Sequence, residues 1–138
     1  MKILGKREEI SKIEKALNKL RKVRPGLFEV FTKNIKTIKV LRDSDTDHNE
    51  LIFKNRSYVI NHSILESKTN YLVSLFAHEA KHVQQYLRGV KNIDSRAERM
   101  AYMIQKKALI ELGETSLVKW LTGYYREKYC IDSGKKPI

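Results

Sequence analysis

The chain carries one cysteine, Cys130, in 138 residues. An intrachain disulfide is therefore excluded, as is a zinc knuckle built on thiolates, so any metal must be held by imidazoles and carboxylates. Long apolar runs are missing too. Met1 to Ile10 is basic but lacks the hydrophobic stretch of a signal peptide, and no segment approaches the ~20 apolar residues that cross a bilayer. These absences predict a cytoplasmic chain with no membrane partner. Proline is scarce, and no Pro-rich linker, internal repeat or low-complexity segment divides the sequence. Aromatic residues are not interleaved with the basic ones, as they would be on a surface that stacks single-stranded nucleic acid.

What is present is a 41% hydrophobic fraction arranged in periodic groups, with 32% charged residues between them. That composition and length predict one soluble globular domain over residues 1–138. The net charge of +12 points toward an acidic partner such as nucleic acid. Its placement argues against one: Lys12, Lys15, Lys19, Lys22, Lys33 and Lys36 are dispersed, as on a solvated basic surface. No feature of the sequence bears on oligomeric state.

Ile10, Ile13, Leu17 and Leu20 recur at helical spacing and predict an amphipathic helix over Lys6 to Val23, stopped by Pro25 and Gly26. A short helical turn through Leu27, Val30 and Phe31 should follow. The alternation of Ile35, Thr37, Ile38 and Val40 predicts a strand ending at Leu41. Beyond the polar loop Asp43 to Glu50, Leu51 to Phe53 and Ser57 to Ile60 read as two short strands, the second extended through Leu65 with Ile60, His62 and Ile64 on one face. Helices are expected over Lys68 to Leu87, stopped at Gly89; over about Ser95 to Leu112, ending at Gly113; and over about Thr115 to Tyr129. Together these elements predict an α+β fold, a small antiparallel sheet packed on the helix Lys68 to Leu87 and backed by the others.

That helix contains His78-Glu79-Ala80-Lys81-His82. Residues four apart leave one helix face a turn apart, so both imidazoles can converge on one tetrahedral Zn2+, with Glu79 placed to take a proton from water. Hydrolytic zinc takes three protein ligands, and Glu98 is the third candidate, near the start of the next helix. Gly89 to Asp94 provides the turn between the two helices, and Ala101 would permit their close contact. Ser95 and Glu98 also have capping-box spacing, which offers Glu98 a purely structural role. Glu111 and Glu114 are weaker ligand candidates at the far end of that helix.

The run from His78 to Gln85, followed by Glu98-Arg99-Met100-Ala101-Tyr102 and Gln105, resembles the gluzincin metallopeptidases, and the small size resembles the minigluzincins among them. The resemblance covers about Ile35 to Gly113. It implies zinc held by His78, His82 and Glu98, with Glu79 as general base and acid in peptide-bond hydrolysis. It also implies an extended peptide or protein substrate bound by strand addition, a role that would fall to Ser57 to Ile64. Thermolysin-like gluzincins carry Asp four residues after the glutamate ligand, where this chain has Tyr102, so the partner that orients a ligand histidine stays open. The oxyanion donor is likewise open among Tyr86, Tyr102, Tyr124, Tyr125 and His62. Minigluzincins are latent forms, and by resemblance residues 114–138 would comprise a C-terminal helix and an inhibitory tail, with Tyr129 to Ile138 entering the cleft and Asp132 or the terminal carboxylate approaching zinc.

Two further patterns are read as structural. Asp43, Asp45 and Asp47 alternate as in a calcium loop, but His48 stands where Gly is needed and Lys54 where Glu is needed. Trp120, Tyr124, Tyr125 and Tyr129 recur near helical spacing and are expected to pack in the core. The expected function is thus a zinc-dependent metallopeptidase. The rival is a catalytically silent metal-binding or nucleic-acid-associated basic protein.

Overall fold

The computed structural model describes residues 1–42 and 48–131. Among them are five α-helices and one four-stranded sheet: β1 (Lys2–Leu4), α1 (Arg7–Val23), α2 (Pro25–Asn34), β2 (Thr37–Leu41), β3 (Asn49–Ile52), β4 (Ser57–Asn61), α3 (Thr69–Leu87), α4 (Ser95–Glu111) and α5 (Thr115–Tyr125). The architecture is α+β, as the sequence predicts. The calcium-loop pattern at Asp43, Asp45 and Asp47 and the proposed inhibitory segment from Asp132 onward lie outside the described residues, as do the side chains of 129–131.

The sheet is mixed rather than antiparallel. Its order is β1-β2-β4-β3, with β1 and β4 both parallel to β2 and only β3 antiparallel to β4. Alternation within a strand sets which side chains point inward and says nothing about strand direction, which is why the pairing differs from expectation. Ile38 and Val40 of β2 pair in register with Tyr58 and Ile60 of β4, and all four are buried.

Burial of Ile13, Ala16, Leu17 and Leu20 gives α1 its apolar stripe. At its start, Glu9 accepts a hydrogen bond from the Lys6 N–H at 2.8 Å and ion-pairs with Arg42, tying the helix to the chain after β2. Pro25 does more than end α1: with fixed φ and no N–H to lose, it opens α2, a full ten-residue helix where the sequence suggested a turn. A second departure concerns residues 61–65. His62–Glu66 is a 3-10 turn rather than a strand extension, and it leads the chain from β4 into α3.

Phe31 of α2, Tyr58 of β4 and Phe76 of α3 meet edge to face, with centroids 5.5–6.0 Å apart. Such pairs contribute about 0.5–1.5 kcal/mol each beyond area burial, and this trio locks the sheet and two helices together. Phe76 is two residues before His78, so the anchor also fixes the rotation of α3.

Contacts run 82 to 98 and 74 to 105, and just beyond the end of α4 from 70 to 114, so α4 returns antiparallel along α3. Ala97, Ala101 and Ala108 are buried there, small enough for close approach. Both helices stop at the expected glycines: Gly89 has φ +94° and Gly113 φ +73°, conformations that cost other residues more.

Candidate metal centre

His78 and His82 project from α3 one turn apart, buried along with Glu79. Their Nε2 atoms are 3.2 Å apart. Glu98, from the first turn of α4, brings Oε1 to 3.3 Å from His78 Nε2 and into direct contact with His82 Nε2. The three donors lie within 4.8 Å of one another and could hold a metal ion. Ligands at ~2.0–2.1 Å around a tetrahedral centre stand about 3.3 Å apart, close to two of these three separations.

Glu98 does not serve as a cap. Asp94 is the N-cap of α4, its carboxylate accepting from the Ala97 N–H at 2.9 Å, which frees Glu98 to face the histidines. The weaker candidates are engaged elsewhere. Glu111 pairs with Arg24 at 2.6 Å, and Glu114 accepts from Asn70 at 3.2 Å.

Gln85 has a role the sequence reading did not assign. Its amide nitrogen donates to the Ala97 carbonyl at 3.0 Å; that acceptor fixes the orientation of the amide and turns Oε1 toward His82 Nδ1, 2.8 Å away. His82 must therefore donate from Nδ1, leaving Nε2 with only a lone pair in its neutral form. A lone pair facing the Glu98 carboxylate is stable only with a cation or proton between them. The donor chemistry thus fits a cation, held by a ligand histidine whose other nitrogen is oriented from behind.

The ionisation of the cluster follows the same logic. Burial works against the His82 imidazolium, but its hydrogen bond to Glu98 and the charge of Glu79 outweigh it and raise its pKa. Burial likewise pushes Glu98 up, yet hydrogen bonds and charge from His78 and His82 carry it far below the usual carboxylate range. Glu79 behaves differently. Desolvation dominates and raises its pKa, with the two histidines opposing and Glu98 assisting.

Tyr102 lies edge-on against the His78 ring, centroids 4.7 Å apart. His78 Nδ1 is buried with no hydrogen-bond partner among the described residues, so this imidazole is held by ring packing. Tyr102 thus gives His78 an aromatic wall where a hydrogen bond to Nδ1 is absent among the described residues.

The cluster lies in a cleft of about 940 Å3. Asn49, Glu50 and Leu51 of β3 line one side; Tyr102, Leu117 and Leu121 line the other. Trp120 and Tyr124 join that second wall and are 49% and 40% exposed, which corrects their expected place in the core. Leu121 is the only buried residue of α5, a helix at the rim with one side toward the cleft. Tyr129 lies outside the described side chains. Of the candidate oxyanion donors, only Tyr102 and Tyr124 line the cleft. Tyr86 stacks on Phe53 at 4.3 Å, and Tyr125 accepts from Arg99 Nε at 3.2 Å. His62 is in the 3-10 turn and does not line it.

The expectation that Ser57 to Ile64 receives a peptide strand is also corrected. Both edges of β4 are occupied, by β2 and β3, so its backbone has no ladder to offer. The edge strand at the cleft is β3.

No helix among the described residues is long and apolar enough to cross a membrane. No protein-family model, curated protein or solved structure matches the chain.

Proposed function

We propose that this chain is a zinc-dependent peptidase of minigluzincin type. The observation that carries the reading is the convergence of His78 Nε2, His82 Nε2 and Glu98 Oε1 beside the buried Glu79 carboxyl, in an open cleft. Two imidazoles and one carboxylate suit zinc and leave a fourth position for water or substrate. Zinc held there supplies Lewis acidity, lowering the pKa of water and polarising a carbonyl. Glu79 takes the proton of the attacking water and returns it to the departing amine, a task helped by the raised proton affinity that burial gives it. Gln85 keeps His82 in the tautomer that presents Nε2. A hydroxyl from Tyr102 or Tyr124 donates to the developing oxyanion. An extended peptide pairs along β3, whose outer edge carries no strand among the described residues. Latency belongs to the same proposal: α5 forms one cleft wall, and the chain continues from that rim into 126–138.

The test measures bound metal and peptide cleavage on the same preparations. Zinc should bind one to one and be lost in His78→Ala and His82→Ala. Glu79→Gln should keep the metal and lose at least about a hundredfold in kcat, the usual contribution of general base catalysis. A metal-loaded chain that cleaves no member of a diverse peptide library, with and without residues 126–138, would refute the peptidase reading. Salt-sensitive nucleic-acid binding that survives the histidine substitutions would instead favour the rival.

A further inference from the structure

Beside Tyr102, α4, α5 and the turn that follows line a second, open hollow of about 190 Å3. Tyr102 lines both spaces and separates them. Four cations line the hollow: Arg99, Lys106 and Lys107 from α4, and Arg126 from the π-helical turn that follows α5. None of its lining residues is acidic. Among the described residues, none of the four makes an ion pair. Other cations of this chain do find partners, as Arg24 finds Glu111 and Arg42 finds Glu9. Like charges gathered in one concavity repel and raise the local concentration of anions.

The remaining surface of the hollow is apolar or aromatic. Leu121 is buried, Met103 contributes a thioether, and the rings of Tyr102 and Tyr125, edge to face with centroids 5.4 Å apart, form one aromatic wall. Arg99 donates Nε–H to the Tyr125 hydroxyl at 3.2 Å, which anchors the guanidinium at the site with its terminal N–H groups still to be satisfied. A planar fork of donors beside lysine ammonium groups matches a tetrahedral dianion better than a single carboxylate. The volume is below that of a drug-sized site and suits one ring with a charged head.

The geometry points to a second binding site, distinct from the metal centre, for a small phosphomonoester carried on an aromatic body. The phosphate lies among Arg99, Lys106, Lys107 and Arg126, and the ring packs against the wall that Tyr102 and Tyr125 form together. This site does not depend on the peptidase reading, since none of its four cations belongs to the metal cluster.

Calorimetric titration of the full chain with phenyl phosphate, inorganic phosphate and phenol tests it. Phenyl phosphate should bind one to one and more tightly than either fragment alone. The double variant Lys106→Ala/Lys107→Ala should weaken it by about tenfold or more, as loss of charge-assisted hydrogen bonds requires. Both lysines are exposed, so the variant should unfold at the wild-type temperature. The charge-matched variant Lys12→Ala/Lys15→Ala, on the exposed side of α1, should bind as wild type does. Equal weakening in the two double variants would reduce the effect to net charge and overturn the site. Phenol binding as tightly as phenyl phosphate, or no binding of phenyl phosphate, would overturn it equally.

Discussion

Glu79 is subject to two opposed demands. A general base benefits from burial that raises its proton affinity, whereas a folded chain loses stability by burying a carboxylate. Because its folded pKa is raised, the contribution of Glu79 to stability is fully present below the ordinary carboxylate range and is lost as pH rises through the raised value. Once ionised, the group therefore works against the fold of the metal-free chain. Glu79→Gln should raise the thermal midpoint of that form at neutral pH and give a smaller gain in acid, where the wild-type carboxyl is protonated. Scanning calorimetry with chelator present decides, and an unchanged or lowered neutral midpoint would contradict the assignment. Residues of this kind were legible in the sequence because one helix sets their geometry: His78, Glu79 and His82 need only the period of α3. Glu98 was legible as a choice between ligand and cap, resolved by Asp94, which takes the cap from the position just before Ser95. Gln85 was missed although it stands three residues after His82 on the same helix face. The sequence leaves the partner of a ligand histidine open, with Tyr102 at the place on α4 where an Asp would serve; for His82 that partner is on α3 itself.

Among elements, the long helices were readable because twelve or more residues of apolar period leave little ambiguity. Three-residue β1 carries no such signal. Its partner is β2, paired Lys2 to Thr37 through Leu4 to Lys39, and nothing local announces a contact that distant. What the sequence does hold is Gly5. A Cβ there would lie 2.9 Å from Val40 Cγ2 and 3.2 Å from Glu9 Oε1, so the connection from β1 to α1 passes too close to β2 for any side chain. Gly5→Ala should destabilise by about 1–3 kcal/mol, the range for overpacking. Gly26→Ala provides the contrast: an added Cβ meets nothing within 4 Å, and this position in α2 should gain about 0.5–1 kcal/mol from better helix propensity. Urea unfolding of both variants compares the two, and equal effects would show that space at Gly5 is not limiting.

For the whole molecule, the donors matter because they come from two helices. An ion held by His78, His82 and Glu98 ties α3 to α4 across the seven-residue connection 88–94, a geometry the unfolded chain lacks. Metal binding is then folding energy: a thousandfold excess of free zinc over its Kd should add about 4 kcal/mol to stability. Thermal unfolding with zinc and with chelator measures the increment, and His82→Ala should lose it while keeping a cooperative transition. A midpoint indifferent to zinc would mean the donors do not bind it in the folded state. The rim of the cleft offers a simpler means of watching the same molecule. Trp120 is the only tryptophan in the chain, half exposed, stacked 5.6 Å from Tyr124 and edge-on 5.8 Å from Tyr71. Its fluorescence comes from one wall of the cleft and from nowhere else, so the native chain is its own optical probe: a ligand entering there displaces water from the indole and shifts the emission, with no dye attached and no residue changed.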